Sequence, residues 1–264
     1  MPELAEVEYF RKRWDAGLGH RVLAVRLHAE KRIFRGTDVR LLARHLVRQT
    51  LEESFARGKQ MLFQFSGDSW VGLHLGMSGK LRIESGTFEP GKHDHLVLQQ
   101  RARALVFSDA RLFGRVRFYR GKDLPPWWVA SGPEIHSRGF TKASLRLFLQ
   151  RHARAPIKAV LLLQDGFPGI GNWMADEILW RARIAPRTLA GKLSAKKLDA
   201  LWNKTRFVAR AALQTIGMDF ADPPKGWLLH ERWRQGGKCP RDGTTLRRAT
   251  VGGRTTAWCE RCQR

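Results

Sequence analysis

Pro2, Glu3 and Glu6 stand at the head of a chain that begins Met1-Pro2-Glu3-Leu4-Ala5-Glu6. Removal of Met1 leaves Pro2 with a secondary amine, a group that no internal residue offers. An α-amino group has a reference pKa of about 7.7–8.0, far below lysine, so a useful fraction is unprotonated and nucleophilic near neutral pH. Glu3 and Glu6 are placed to shuttle protons beside it. The same residues also suit a plain helix start, where proline and acidic side chains are at home. The rest of the chain has to decide between the two.

A second group of chemically suggestive residues is Gln164-Asp-Gly-Phe-Pro-Gly-Ile-Gly171-Asn172-Trp-Met-Ala-Asp176-Glu177. A glycine-rich turn opening a helix exposes backbone N–H groups and the positive end of the dipole, the usual grip on a phosphate. Asn172 is expected to cap that helix and reach a phosphate oxygen; a ligand-free corner between helices is the alternative. Lys158 adds a second phosphate contact or is simply a solvated lysine. At the other end, Cys239-Pro-Arg-Asp242 is followed after 16 residues by Cys259-Glu-Arg-Cys262. Paired knuckles at this spacing read as a zinc ribbon or hairpin, here with Asp242 as an oxygen ligand beside Cys239, Cys259 and Cys262. A hairpin without zinc, packed around Trp258, is the other possibility. Gly58-Lys59 precedes a strand, so Lys59 is placed to point into a cleft. His74-Leu-Gly-Met77-Ser-Gly-Lys80 and Asp109-Ala-Arg111-Leu-Phe113-Gly114 set Met77 and Phe113 in glycine-flanked turns. Turns lie at the surface, so these apolar residues are candidates for wedges into a base stack, with core packing as the default for each alone.

Composition points to the partner. Lys and Arg number 48 against 24 Asp and Glu, a net charge of +24 spread along 264 residues. Counterion release makes nucleic acid the natural polyanion for such a chain. No apolar stretch approaches the ~20 residues of a membrane span, and no secretory leader is visible. All three cysteines fall in the last 26 residues, which favours a metal site over a disulfide framework.

These residues need elements to hold them. Leu4, Val7, Phe10, Trp14 and Leu18 predict an amphipathic helix over 3–18. Short apolar alternations from about 21 to 120, around residues 22–27, 61–65, 70–75, 96–98, 105–107 and 116–118, predict an antiparallel β-sandwich or barrel. Residues 123–140 carry Pro and Gly as a linker would. From Thr141, an N-cap, the period is helical, and a longer helix follows Ser194 with Leu198, Leu201, Trp202, Thr205, Val208 and Ala212 on one face. The expected division is a domain over 1–122, a linker over 123–140, a helical domain over 141–226 and a metal-stapled hairpin over 227–264.

Taken in order, the Pro-Glu-Leu start, Gly-Lys59, the Met77 and Phe113 turns, Gly-x-Gly-Asn172 and the terminal hairpin resemble the bacterial formamidopyrimidine-DNA glycosylase/endonuclease VIII family. The Leu4 start and the two turns look closer to the formamidopyrimidine branch. The resemblance implies an α+β multidomain fold: an antiparallel β-sandwich with flanking helices, a helix–two-turn–helix domain and a zinc-finger-like hairpin, with DNA in the cleft. It implies a base-excision enzyme acting as a monomer on double-stranded DNA in the cytoplasm, at the nucleoid. Pro2 would attack C1′ and form a Schiff base, Glu3 would give acid/base help, Glu6 would support the site and Lys59 would neutralise a phosphate. Met77, Arg111 and Phe113 would fill the void left by the flipped base. His74, Lys158, Asn172 and Arg254 would contact the DNA, the last three at phosphates. One structural zinc ion per chain is implied.

The sequence departs from the family pattern at Ala5, usually proline, and at Asp242, usually cysteine. The stretch 217–226 is short and lacks the Ser/Thr-rich loop with which 8-oxoguanine-preferring members cover the base. A catalytically silent DNA- or RNA-binding protein on the same scaffold is the main alternative; retention of Pro2, Glu3, Glu6 and Lys59 together argues against it.

Overall fold

The strand-like alternation of the first half resolves into eight strands in two antiparallel sheets in the computed structural model, which describes residues 1–264. One sheet has the order β2-β3-β4-β8, from β2 (Leu51–Arg57), β3 (Gln60–Phe65), β4 (Ser69–His74) and β8 (Arg115–Arg120). The other has the order β1-β6-β7-β5, from β1 (Ala24–Leu27), β5 (Lys80–Ser85), β6 (Asp94–Gln99) and β7 (Arg103–Ser108). Met61, Phe63 and Phe65 from the first share a buried cluster with Leu96, Leu98, Leu105 and Phe107 from the second. Leu62 points the other way, into a separate cluster with Trp70 and Trp128. That double burial explains why Met61-Leu62-Phe63 is continuously apolar rather than alternating.

Two strands and a helix are additions to the sequence expectation. β2 and β5 are edge strands, so their outward residues stay polar and weaken the period-2 signal. Helix α2 (Val39–Leu46) is capped by Asp38, whose side chain accepts from Leu41 N at 2.9 Å, and it buries Leu42 and Leu46. The first helix is shorter than the expected 3–18: α1 covers Leu4–Lys12, and a 3-10 turn follows at Asp15–Gly17. A Cβ at Gly17 would press on Leu105, so glycine is needed where the turn meets the sandwich, and Trp14 reaches the sandwich core.

The contacts divide the chain into two units, one of residues 1–2 and 6–131, the other of 3–5 and 132–264. Segment 123–140 is ordered rather than loose: it carries a helical turn, α3 (Pro126–Val129), and buries Trp128, Ile135 and Phe140. The second unit holds α4 (Lys142–Arg151), α5 (Ile157–Leu161), α6 (Asn172–Ala182), α7 (Ala195–Gln214) and α8 (Ile216–Asp219). Thr141 caps α4 in a reciprocal pair with Ser144, and Ser194 caps α7. Leu145, Phe148 and Leu149 pack with Leu198, Leu201 and Val208 in one core, which also takes in Leu4 and Ala5. The chain ends in a hairpin of β9 (Arg247–Val251) and β10 (Arg254–Trp258). Gly252 and Gly253 join the strands with φ of +60° and +73°, the left-handed pair that a tight two-residue turn demands.

Candidate active site and metal centre

Residue 3 is anchored by the glycine turn 168 positions away. The Glu3 carboxylate accepts from Gly171 N at 2.8 Å, Trp173 N at 3.0 Å and Met174 N at 3.1 Å, and Leu4 N donates to Gly169 O at 3.0 Å. Gly171 is required because a Cβ there would overlap the Glu3 carboxyl group. The turn does bind an anion at a helix N-terminus, as its composition suggests, but the anion is the chain's own side chain and not a phosphate. Asn172 is likewise not the cap. Gly171 holds that position, and Asn172 Nδ2 donates to Thr255 O at 2.9 Å while its Oδ1 is buried without a partner.

Lys158 is the clearest correction. Its side chain is fully buried, and its Nζ donates to Asp176 Oδ1 at 2.5 Å and to Asn172 O at 2.7 Å, so it offers nothing to an external phosphate. Asp176 also accepts from Arg232 at 2.5 Å and from Ala257 N at 3.2 Å. One carboxylate thus ties α5, α6, the segment after α8 and β10. Burial lowers the Lys158 pKa, and Asp176 opposes that shift. Beside it, Glu177 is buried against Arg181 at 2.7 Å and accepts from Leu229 N at 3.2 Å; burial raises its pKa. Asp176, Glu177 and Arg232 were not singled out as functional from the sequence. The signal was present: two adjacent acids inside the apolar run Trp173-Met-Ala-Asp-Glu-Ile-Leu-Trp180 require buried partners.

In the first unit the two glycine-flanked turns abut. A Cβ at Gly76, whose φ is +62°, would collide with the Phe113 backbone. Asp109, fully buried, joins them: it accepts from Ser78 Oγ at 2.6 Å, Arg111 N at 3.2 Å and Gly114 N at 2.7 Å. This clamp leaves Met77 and Phe113 exposed by 42% and 44%, which core residues would not be. Arg111 lies over the Phe113 ring at 5.1 Å. Lys59 occupies the turn between β2 and β3, half-buried like Pro2 and Glu6. His74 ends β4, and its Nδ1 accepts from Gly76 N at 3.0 Å, which leaves the proton on Nε2. Burial, then the charges of Lys59, Arg35 and Arg117, push its pKa down to about 4. His74 is therefore a neutral donor at pH 7.

Residues 1–116 match the formamidopyrimidine-DNA glycosylase N-terminal domain, and residues 131–221 match the H2TH domain of the same enzymes. The formamidopyrimidine-DNA glycosylase of Xanthomonas axonopodis pv. citri is 35% identical, with all of both chains covered. The chain belongs to the formamidopyrimidine-DNA glycosylase family. Among solved structures, Lactococcus lactis formamidopyrimidine-DNA glycosylase bound to abasic-site DNA aligns with a TM-score of 0.87 at 27% identity, over 99% of each chain. The same enzyme with an N7-benzyl-Fapy-dG DNA aligns at 0.89 and 26%, again over 99% of each chain.

The C-terminal hairpin brings Cys239, Asp242, Cys259 and Cys262 together, with one ligand atom from each lying within 4.8 Å of the others. A zinc ion with Zn–S bonds of about 2.3 Å holds its sulfurs about 3.8 Å apart in a tetrahedron. Cys239 and Cys262 Sγ are 3.7 Å apart, and Asp242 lies 3.7 Å from Cys259 Sγ and 3.1 Å from Cys262 Sγ. The donor set fits zinc. Trp180 Nε1 donates to Cys239 Sγ at 3.4 Å, and Thr244 N to Asp242 Oδ1 at 3.0 Å, orienting the ligands. Arg254, at the start of β10, is exposed.

Proposed function

We propose that this member of the family is a bifunctional DNA glycosylase/AP lyase that excises oxidised or ring-opened bases from duplex DNA. The seating of Glu3 on three N–H groups at the N-terminus of α6 carries this assignment, because it fixes the residue that follows the nucleophile. Once Met1 is removed, the Pro2 nitrogen attacks C1′ of the damaged nucleotide and the base leaves with a proton. The new bond between C1′ and the Pro2 nitrogen becomes an iminium, after the amine loses its proton, as the sugar ring opens, with Glu3 moving the proton at the ring oxygen. The iminium acidifies the C2′ proton, so β-elimination expels the 3′ phosphate and δ-elimination the 5′ phosphate.

Lys59 and the Nε2–H of His74 neutralise and bind phosphates beside the lesion, and Glu6 supports the site. Met77, Arg111 and Phe113 enter the stack in place of the flipped nucleotide. Asn172 and Arg254 contact the backbone from the second unit. Lys158 acts indirectly, by holding the carbonyl of Asn172. Zinc, held by Cys239, Asp242, Cys259 and Cys262, braces the hairpin that carries Arg254. The DNA reached is that of the cytoplasmic nucleoid, and the enzyme works as a monomer.

The test is borohydride trapping on an abasic duplex. Wild-type protein yields a covalent adduct. Protein that retains Met1, whose Pro2 nitrogen is locked in an amide, loses the Pro2 adduct, and Pro2→Gly, which keeps only a primary α-amine, traps more slowly than wild type. Salt-sensitive binding with neither adduct nor strand cleavage would leave a silent DNA-binding scaffold instead. No helix is long and apolar enough to cross a membrane.

A further inference from the structure

The first unit also carries a basic pocket, of about 250 Å³, that no step above uses in full. It opens on the face of the β2-β3-β4-β8 sheet turned away from the sandwich core. The register sets Arg115 opposite His74 and Arg117 opposite Gly72, so the two guanidiniums rise from the same face of β8. Gly72 is the floor, and a Cβ there would overlap the Trp127 ring that roofs it. Phe113 forms a wall, and Arg117 lies 4.9 Å from the Trp127 centroid. Arg35 completes the rim, its Nη1 donating to Gly114 O at 2.7 Å.

No carboxylate lines this pocket, and none pairs with Arg35, Arg115 or Arg117. Arg115 Nε is buried with no acceptor. Burial and mutual repulsion lower the pKa of both Arg35 and Arg117. Three guanidiniums gathered around one cavity, with a buried donor unfilled, are matched by an anion with several acceptor oxygens. A set of merely solvated arginines would spread into water, each screened separately. The anion's source follows from Phe113, which is both a wall of the pocket and a residue placed at the DNA stack.

We propose that Arg35, Arg115 and Arg117 form a subsite for a backbone phosphate of the bound duplex, with Trp127 holding the fork of Arg117 in place. This rests on the DNA-glycosylase assignment for the presence of a duplex at Phe113. Its test reads the salt dependence of binding to a tetrahydrofuran-abasic duplex. Each phosphate contact contributes about 0.9 to the slope of log K against log salt. Arg115→Ala/Arg117→Ala, which together lose one phosphate contact, are expected to lower the slope by about 0.9. Arg115→Lys/Arg117→Lys restores the slope but not the full affinity, which separates lost contacts from a misfolded sheet. Arg40→Ala/Arg101→Ala, two exposed arginines outside the pocket, removes the same charge and leaves the slope near wild type.

An unchanged slope in the pocket double variant, or an equal fall in the control, overturns the subsite. So does pyrophosphate binding that the double variant abolishes while its DNA slope stays at the wild-type value; the pocket would then serve a free phosphate compound. Borohydride trapping on the same samples reports the enzyme assignment separately. A fallen slope without any adduct keeps the subsite and discards the lyase.

Discussion

The helix α6 region and the β8 face both gather cations, and they treat them in opposite ways. Around α6, Lys158, Arg232 and Arg181 are each matched to Asp176 or Glu177 inside the protein, and the helix N-terminus is filled by Glu3. On the β8 face, Arg35, Arg115, Arg117 and His74 share a cavity with no acid. Burying an unpaired charge is costly, so a set that is paired internally builds structure and one left unpaired awaits an external anion. Net charge alone does not distinguish them; the position of the few carboxylates does.

The sharpest way to break this contrast is at Glu3. Glu3→Gln keeps an acceptor for the α6 N–H groups but removes the proton-transferring carboxylate. Its amide NH2 would also face backbone N–H donors that the carboxylate satisfied, so unfolding free energy should drop by about 1–3 kcal/mol, while single-turnover base excision by the folded variant falls by about 10²–10⁴-fold. Excision at the wild-type rate by the folded variant would make Glu3 a structural anchor only.

Next in size is the internal pairing itself. Asp176→Ala leaves Lys158 and Arg232 buried without a counter-charge and should cost about 3–5 kcal/mol in urea unfolding. A loss under about 1 kcal/mol would mean that the closed region relaxes like the open one and that the contrast is false.

The smallest effect is in pH. His74 has a folded pKa of about 4 against an ordinary 6.5, so between those values the unfolded chain binds more protons. Its contribution is therefore fully present above pH 6.5 and is lost as the pH falls towards 4. Unfolding free energies measured over that window should slope more gently in His74→Asn; identical slopes would remove the basic pocket as the cause.

Much of this was legible in the sequence, for identifiable reasons. Thr141, Ser194 and the periodic leucines behind them are local signals, and α4 and α7 fall where those signals put them. Met77 and Phe113 were readable because apolar residues beside turn glycines have no core to enter. What was hidden is pairing over distance. Gly171 to Glu3, and Arg232 to Asp176, span 168 and 56 residues, and residue types alone do not say which acid meets which donor. Lys158 illustrates the risk: lysine is usually solvated, and only the buried Asp176 explains its place inside. The pocket arginines escaped attention because Arg115 and Arg117 look like the outward residues of any strand in a basic chain.

The bond between Glu3 and the α6 turn also has a schedule. Its two ends are made at opposite times in translation, 168 residues apart. At about 5–20 residues per second, roughly ten to thirty seconds pass between them. Throughout that interval Glu3 has none of its N–H partners from the α6 turn, which is the window the proposed mechanism needs for removal of Met1. Only when Gly171, Trp173 and Met174 have left the ribosome can the cradle close. On the proposed mechanism a nascent chain is processed before it is armed, and one truncated before Gly171 lacks the anchor for Glu3.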